Sequence, residues 1–176
     1  MGNLNINVGE KITFILPLLI MVHFNGEFTH KIDSKGRVFI PRTFIDAIEL
    51  TSEKASFECF INTVEGCFEI YTPSAFSKYV EKTLSTEKDA MRAKKIRRLL
   101  GANSRKLKVD SQGRILLPEE LRQRINLESE VTLNGAMSYF EIWDSKRYAE
   151  VYSESQAFFD EATEDMTSPD YRESEA

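Results

Sequence analysis

The chain has 176 residues and 20.2 kDa, enough for one ordinary domain or two small ones. Apolar residues make up 41% and charged residues 29%, and 12 Phe, 6 Tyr and 1 Trp exclude disorder for most of it, while 8 Gly and 5 Pro exclude collagen-like and low-complexity classes. A net charge of −5 and a pI near 5.2 argue, as averages, against nucleic acid.

In chain order, Ile12 to Met21 is a short apolar run after Lys11. It is too short for a bilayer, which needs about 20 apolar residues. It resembles the apolar region of a signal peptide, but no cleavage site follows. Met21 is a candidate true start, with residues 1–20 as upstream sequence read as protein; N-terminal mass spectrometry checks this, and a mature terminus at Met1 or Gly2 refutes it.

Next, Phe28 to Ile32 suggests a strand, Ser34-Lys35-Gly36 a turn, and Val38 to Ile40 a second strand. Pro41 suits the first position of a helix, on which Phe44, Ile45 and Ile48 share a face. Two strand-like runs follow, Phe57 to Ile61 and Cys67 to Tyr71. Cys59 and Cys67 lie within them; without metal or redox spacing, they read as buried, reduced thiols of a cytosolic protein. Thr72 can cap a helix over Ser74 to Leu84, and Thr86 can cap another over Glu87 to Leu100, ended by Gly101 in a left-handed conformation.

Then the pattern returns. Residues 31–41 read KIDSKGRVFIP and residues 108–118 read KVDSQGRILLP, a shift of 77. After the second copy come Pro118, a short helix through Leu121 and Ile125, and strands at Val131 to Leu133 and Tyr139 to Trp143. Phe68-Glu69-Ile70-Tyr71 matches Phe140-Glu141-Ile142-Trp143 at a shift of 72. The unit is β-β-α-β-β, and the fold class is α+β. One unit is too small to bury a good core, so two are expected to interlock in one pseudo-symmetric domain. The expected organisation is a leader (1–20), a first repeat (21–72), a two-helix connection (73–101), a second repeat (102–147), and a tail (148–176) that starts helical and frays after Phe159.

The charge is uneven. From Lys88 to Lys108 nine bases accompany one acid, Asp89; from Asp144 to Ala176 ten acids accompany three bases. A basic stretch is most often a solvated helix face, but the average charge says little about partners here.

Asp33 and Arg37 flank the first turn, and Asp110 and Arg114 the second. This spacing puts carboxylate and guanidinium on opposite arms of a tight hairpin, with Gly36 and Gly113 free to take positive φ. Asp33 and Asp110 read as residues that hold the turn. A guanidinium has five donors, so one carboxylate leaves Arg37 and Arg114 donors to spare beside Lys35 and Gln112, a cluster suited to phosphates and guanine edges. Lys31, Arg42, Arg105 and Lys108 are weaker phosphate-contact candidates.

The G-E-F start, both D-S-x-G-R turns, the R-R-L-L-G segment and the F-E-I-W close resemble the MraZ family from about Met21 to about Tyr148. The resemblance implies two tandem AbrB/SpoVT-type swapped-hairpin units in a barrel-like domain. It implies a sequence-specific regulator of the division and cell-wall gene cluster that binds repeated sites in its own promoter as a ring-shaped oligomer. Its partners would be double-stranded DNA and itself, on the nucleoid in the cytoplasm, with no membrane, cofactor or metal. Arg37 and Arg114 fall on the family's DNA-binding arginines, and the family's start near Met21 agrees with the leader reading. The longer acidic tail is a departure that could repel DNA, mask the basic surface or keep the protein soluble.

Beside this reading, and beside the duller one that the repeat is a structural scaffold only, stand two rivals. An enzyme is disfavoured: His23 and His30 have no nucleophile or acid arranged around them, and no Gly-rich phosphate loop or metal spacing occurs. His30 reads as a surface or interface residue. An antitoxin-like or assembly module that binds protein through its helices and tail is the other alternative.

Overall fold

A computed structural model describes residues 23–49 and 56–167, with side chains through residue 163. The leader, Met21 and residues 168–176 lie outside the described residues. The elements are β1 (Glu27–Lys31), β2 (Arg37–Phe39), α1 (Arg42–Glu49), β3 (Ser56–Asn62), β4 (Cys67–Tyr71), α2 (Pro73–Ser85), α3 (Ala90–Asn103), β5 (Ser104–Lys108), β6 (Arg114–Leu116), α4 (Glu119–Arg124), β7 (Glu130–Ala136), β8 (Tyr139–Asp144) and α5 (Ser145–Thr167).

The molecule is α+β, with antiparallel strand pairing throughout. Six strands form one sheet in the order β1-β7-β8-β4-β3-β5, and β2 and β6 form a separate ribbon. The two copies of the repeat exchange strands. β1 of the first copy pairs with β7 of the second, β5 of the second with β3 of the first, and β2 with β6. The equivalent strands β4 and β8 meet at the centre, with Glu69 opposite Glu141.

This corrects the expectation of a hairpin with paired arms. The turn is formed, since the Asp33 N–H donates to the Arg37 carbonyl at 2.9 Å. Beyond it the arms part into different sheets. The cause is burial: Val38 and Ile115 are wholly inaccessible and face each other on the ribbon, so each β2-type strand covers its apolar side by pairing across the copies.

Strand alternation sends Phe57, Cys59 and Ile61 of β3 to the same core as Phe68, Ile70, Phe140, Ile142, Val131 and Leu133. Helix α1 adds Phe44, Ile45 and Ile48 at helical spacing. Phe140 is the hub of the aromatic packing, with ring centroids 5.2 Å from Phe24, 5.0 Å from Phe44 and 5.3 Å from Phe57. Phe24 enters by a backbone bridge to Met137, and Gly135 makes that approach possible: a Cβ there would overlap the Phe24 backbone. Cys59 and Cys67 are buried free thiols, and burial pushes the Cys59 thiol up to about 12.

Local differences from the sequence expectations have local causes. Pro41 and Pro118 sit one position before their helices, where their carbonyls accept the first helical N–H groups. Helix α3 starts at Ala90, because Asp89 caps it by accepting the Arg92 N–H at 2.8 Å, while Thr86 closes α2 instead. Gly101 remains inside α3, which passes directly into β5 at Ser104. Helix α5 continues past Phe159 to Thr167, with Gln156 donating to Asp160 at 2.8 Å. His30 is half-buried; its Nε2 is inaccessible and lacks a partner, so desolvation lowers its pKa.

Candidate nucleic-acid interface

Both D-S-x-G-R turns are built by the same bonds. Asp33 Oδ1 accepts the backbone N–H groups of Lys35 and Arg37, each at 2.9 Å, and Oδ2 accepts Arg37 Nε at 2.7 Å and Nη2 at 2.6 Å. Asp110 does likewise with Gln112 (2.9 Å), the Arg114 N–H (3.0 Å), Arg114 Nε (3.0 Å) and Nη2 (2.8 Å). Positive φ at Gly36 (83°) and Gly113 (77°) lets the turns close. Each guanidinium is thus gripped along its Nε side, which leaves the Nη1 end pointing away from its carboxylate. The Arg37 bond holds the Asp33 carboxyl down to about 2, and Arg114 lowers that of Asp110.

Strand exchange brings the turns together. Ile40 N–H donates to the Gly113 carbonyl and Leu117 N–H to that of Gly36, both at 2.9 Å. On the ribbon Arg37 lies opposite Leu116, and Phe39 opposite Arg114. Val38 and Ile115 point inward, so Arg37, Phe39, Arg114 and Leu116 form the other face. Arg114 stacks its guanidinium 5.7 Å from the Phe39 ring centroid and lies 3.9 Å from Asp33. Phe39 and Leu116 are about half exposed, an apolar element of this face that sequence reasoning missed. The repeat contained the signal, since Phe39 and Leu116 are equivalent positions at a shift of 77.

Arg122 was missed as well. It donates Nε to the Leu117 carbonyl at 3.2 Å, and its guanidinium lies against Gly36. The equivalent neighbour of Gly113 is Ile45. The same shift aligns Ile45 with Arg122, so the first turn has a cation where the second has an alkyl group.

The other candidates are dispersed. Lys31 and Lys108 are exposed at the ends of β1 and β5, the two edges of the large sheet. Arg42 is engaged by Asp46 at 2.7 Å and Glu49 at 3.2 Å. Arg105 donates to the carbonyls of Ala102 (3.2 Å) and Ser104 (2.8 Å) and lies 3.6 Å from Glu120.

On the other side of the sheet, Glu69 accepts from Tyr71 at 2.5 Å and Asn62 at 2.9 Å, and Glu141 from Trp143 at 2.9 Å and Asn134 at 3.2 Å. These duplicated bonds give the F-E-I-[YW] motif a structural role. Glu65, Cys67 and Glu141 bring ligand-type atoms within 4.8 Å of one another, and burial raises the Cys67 pKa. Among the described residues, no helix is long and apolar enough to cross a membrane.

A two-stranded ribbon can enter the major groove of DNA, and arginine forks match guanine edges. Comparison with known proteins bears on this arrangement. A family model described as "MraZ protein, putative antitoxin-like" matches twice, at residues 23–97 and 99–169. The chain is also 33% identical over 147 residues to the transcriptional regulator MraZ of Mycoplasmoides gallisepticum, covering 81% of this chain and 96% of that one. Two family matches, one on each copy of the repeat, and a relative aligned over nearly its whole length show that the chain belongs to the MraZ family.

Proposed function

We propose that the protein is a sequence-specific DNA-binding transcriptional regulator rather than an enzyme. The observation that carries this reading is the pair of carboxylate-held arginines on one ribbon face. Arg37 and Arg114 read base edges, with Lys35, Gln112 and Arg122 beside them on phosphates or bases; Lys31, Lys108, Arg42 and Arg105 are secondary phosphate contacts. Asp33, Asp110, Gly36 and Gly113 hold the turns. The strand exchange supports the swapped-hairpin arrangement expected from the family resemblance.

One protomer offers few contacts and has a net charge of −5, so a single site binds modestly. A ring of protomers on evenly spaced promoter repeats gains affinity by avidity. The DNA it controls is the promoter of the division and cell-wall cluster that holds its own gene, and the protein acts in the cytoplasm on the nucleoid. The relative named as a transcriptional regulator supports the regulatory role. Footprinting on the DNA upstream of the gene tests it. Protection at evenly spaced short repeats, weakening steeply with salt, is expected; uniform or absent protection rejects it.

A further inference from the structure

Two exposed surfaces remain that the DNA reading does not use. Helix α5 packs on β7 and β8 through its first turns, where Tyr148 is buried against Trp143. From Tyr152 to Glu161 every residue is exposed. The apolar stripe nevertheless continues: Tyr148, Val151, Tyr152, Ser155, Phe159 and Ala162 share one face, with Phe158 at its edge. Phe158 is 73% exposed and Phe159 62%. Glu154 and Glu161 border the Phe158 side, and no base occurs between Ala149 and Thr167. A helical stretch of this length without tertiary contacts is marginal in water, so the structure leaves it in need of support.

Helix α3 offers the complement. Ala93 and Leu100 are buried beneath it, and its outward face has Met91, Lys95, Arg98, Leu99 and Ala102 at helical spacing. Met91 and Leu99 are exposed by 65% and 61%, and the helix has no acid of its own. DNA backbone would use the bases but not the two apolar groups between them; an acidic helix with an aromatic stripe uses both. Because both faces are exposed in the single chain, neither covers the other within it.

We propose that the α5 stripe around Phe158 and Phe159 docks on the α3 face around Met91, Lys95, Arg98 and Leu99 of a second copy of this chain. The two surfaces differ, so the contact is head-to-tail and leaves one of each face open for the next copy. It closes into a ring when the rotation permits. The proposal deepens the ring reading above and rests on it. It also gives the acidic helix a role: it neutralises the basic α3 face and leaves the arginine ribbon clear.

Sedimentation velocity of the full chain tests the contact, with circular dichroism to establish folding. Phe158→Ser/Phe159→Ser and Lys95→Glu/Arg98→Glu are each expected to sediment as folded monomers. Mixing them should give dimers and nothing larger, because one variant retains only its α3 face and the other only its α5 face. Adding Glu154→Lys/Glu161→Lys to Lys95→Glu/Arg98→Glu should restore assembly. If both double variants retain the wild-type assembly, the proposal fails while the ring reading stands. A monomeric wild type overturns both. Wild-type assembly with weakened promoter binding in Lys95→Glu/Arg98→Glu assigns the face to DNA and overturns the proposal.

Discussion

Replacing Arg37 with alanine isolates base reading from folding. Its bond to Asp33 is partly exposed on both sides, with 30% and 34% of the side chains accessible. Losing such a solvent-exposed pair should leave the unfolding temperature nearly unchanged. On DNA the loss is larger. The Asp33 grip occupies Nε and one Nη2 position, leaving the Nη1 end for a bidentate contact. Such a contact is worth about 1–3 kcal/mol, so the variant should bind a single promoter repeat roughly 5- to 150-fold more weakly. Arg37→Lys retains the charge without the fork. It should lose affinity for the repeat but keep its affinity for a scrambled duplex and nearly all of its salt dependence. Fluorescence anisotropy with both duplexes at several salt concentrations makes the measurement. Equal loss on the two duplexes, with a shallower salt slope, would reassign Arg37 to phosphate; no loss on either would refute its role. Arg114 is the less clean probe, being only 16% exposed, stacked on Phe39 and close to both aspartates.

Three further outcomes concern the scaffold and are read by denaturant or thermal unfolding. Phe140→Ala removes the shared neighbour of Phe24, Phe44 and Phe57 and should destabilise by about 3–5 kcal/mol; a loss below about 1 kcal/mol would contradict the packing. Gly101→Ala lies in an exposed helix with nothing within 4 Å of the new Cβ and should stabilise by about 0.4–1 kcal/mol, whereas Gly135→Ala meets the Phe24 backbone and should destabilise; equal signs would be inconsistent with the geometry. His30 has a lowered pKa in the fold, so the unfolded chain binds its proton first. Stability is therefore full above the ordinary histidine value of 6.5 and declines as pH falls below it toward the folded value. His30→Gln should flatten that decline, and an unchanged slope between about pH 7 and pH 5 would exclude His30 as its source.

The repeat made much of this legible in advance. Strand runs, turns and core positions repeat at shifts of 77 and 72, and local pattern is enough to place them. The Asp-Arg pairs were legible too, because four residues across a Gly turn bring the side chains within reach whatever the rest of the chain does. Partner choice was not. Nothing within residues 28–40 says that β1 joins β7 and β2 joins β6; that depends on where Val38 and Ile115 find a shared core. The α3 boundary moved for a similar reason. Asp89 and Thr86 are both good caps; in the fold Asp89 accepts the Arg92 N–H and Thr86 closes α2. The exposed apolar groups Phe39 and Leu116 read as ordinary strand residues until the ribbon showed which face they occupy.

Strand exchange also changes what the two turns can be. With each turn closed on its own hairpin, the two copies would be independent and Arg37 and Arg114 could sit at any separation. Here the carbonyls of Gly36 and Gly113 each accept from the strand leaving the other turn, so the two arginines are parts of one rigid ribbon. The ribbon is near-symmetric in backbone but not in chemistry: Lys35 of the first turn corresponds to Gln112 of the second, and Arg122 takes the place of Ile45. On the DNA-binding reading, a fused duplicate of this kind has a polarity that a homodimer of identical turns lacks. A polar reader suits sites repeated in one direction, and a head-to-tail assembly presents its ribbons in one direction as well. The negative average charge then ceases to be an objection, because a strong excess of acid lies from Asp144 onward, ten acids against three bases, and the cations that matter are held at two turns by carboxylates they have already neutralised.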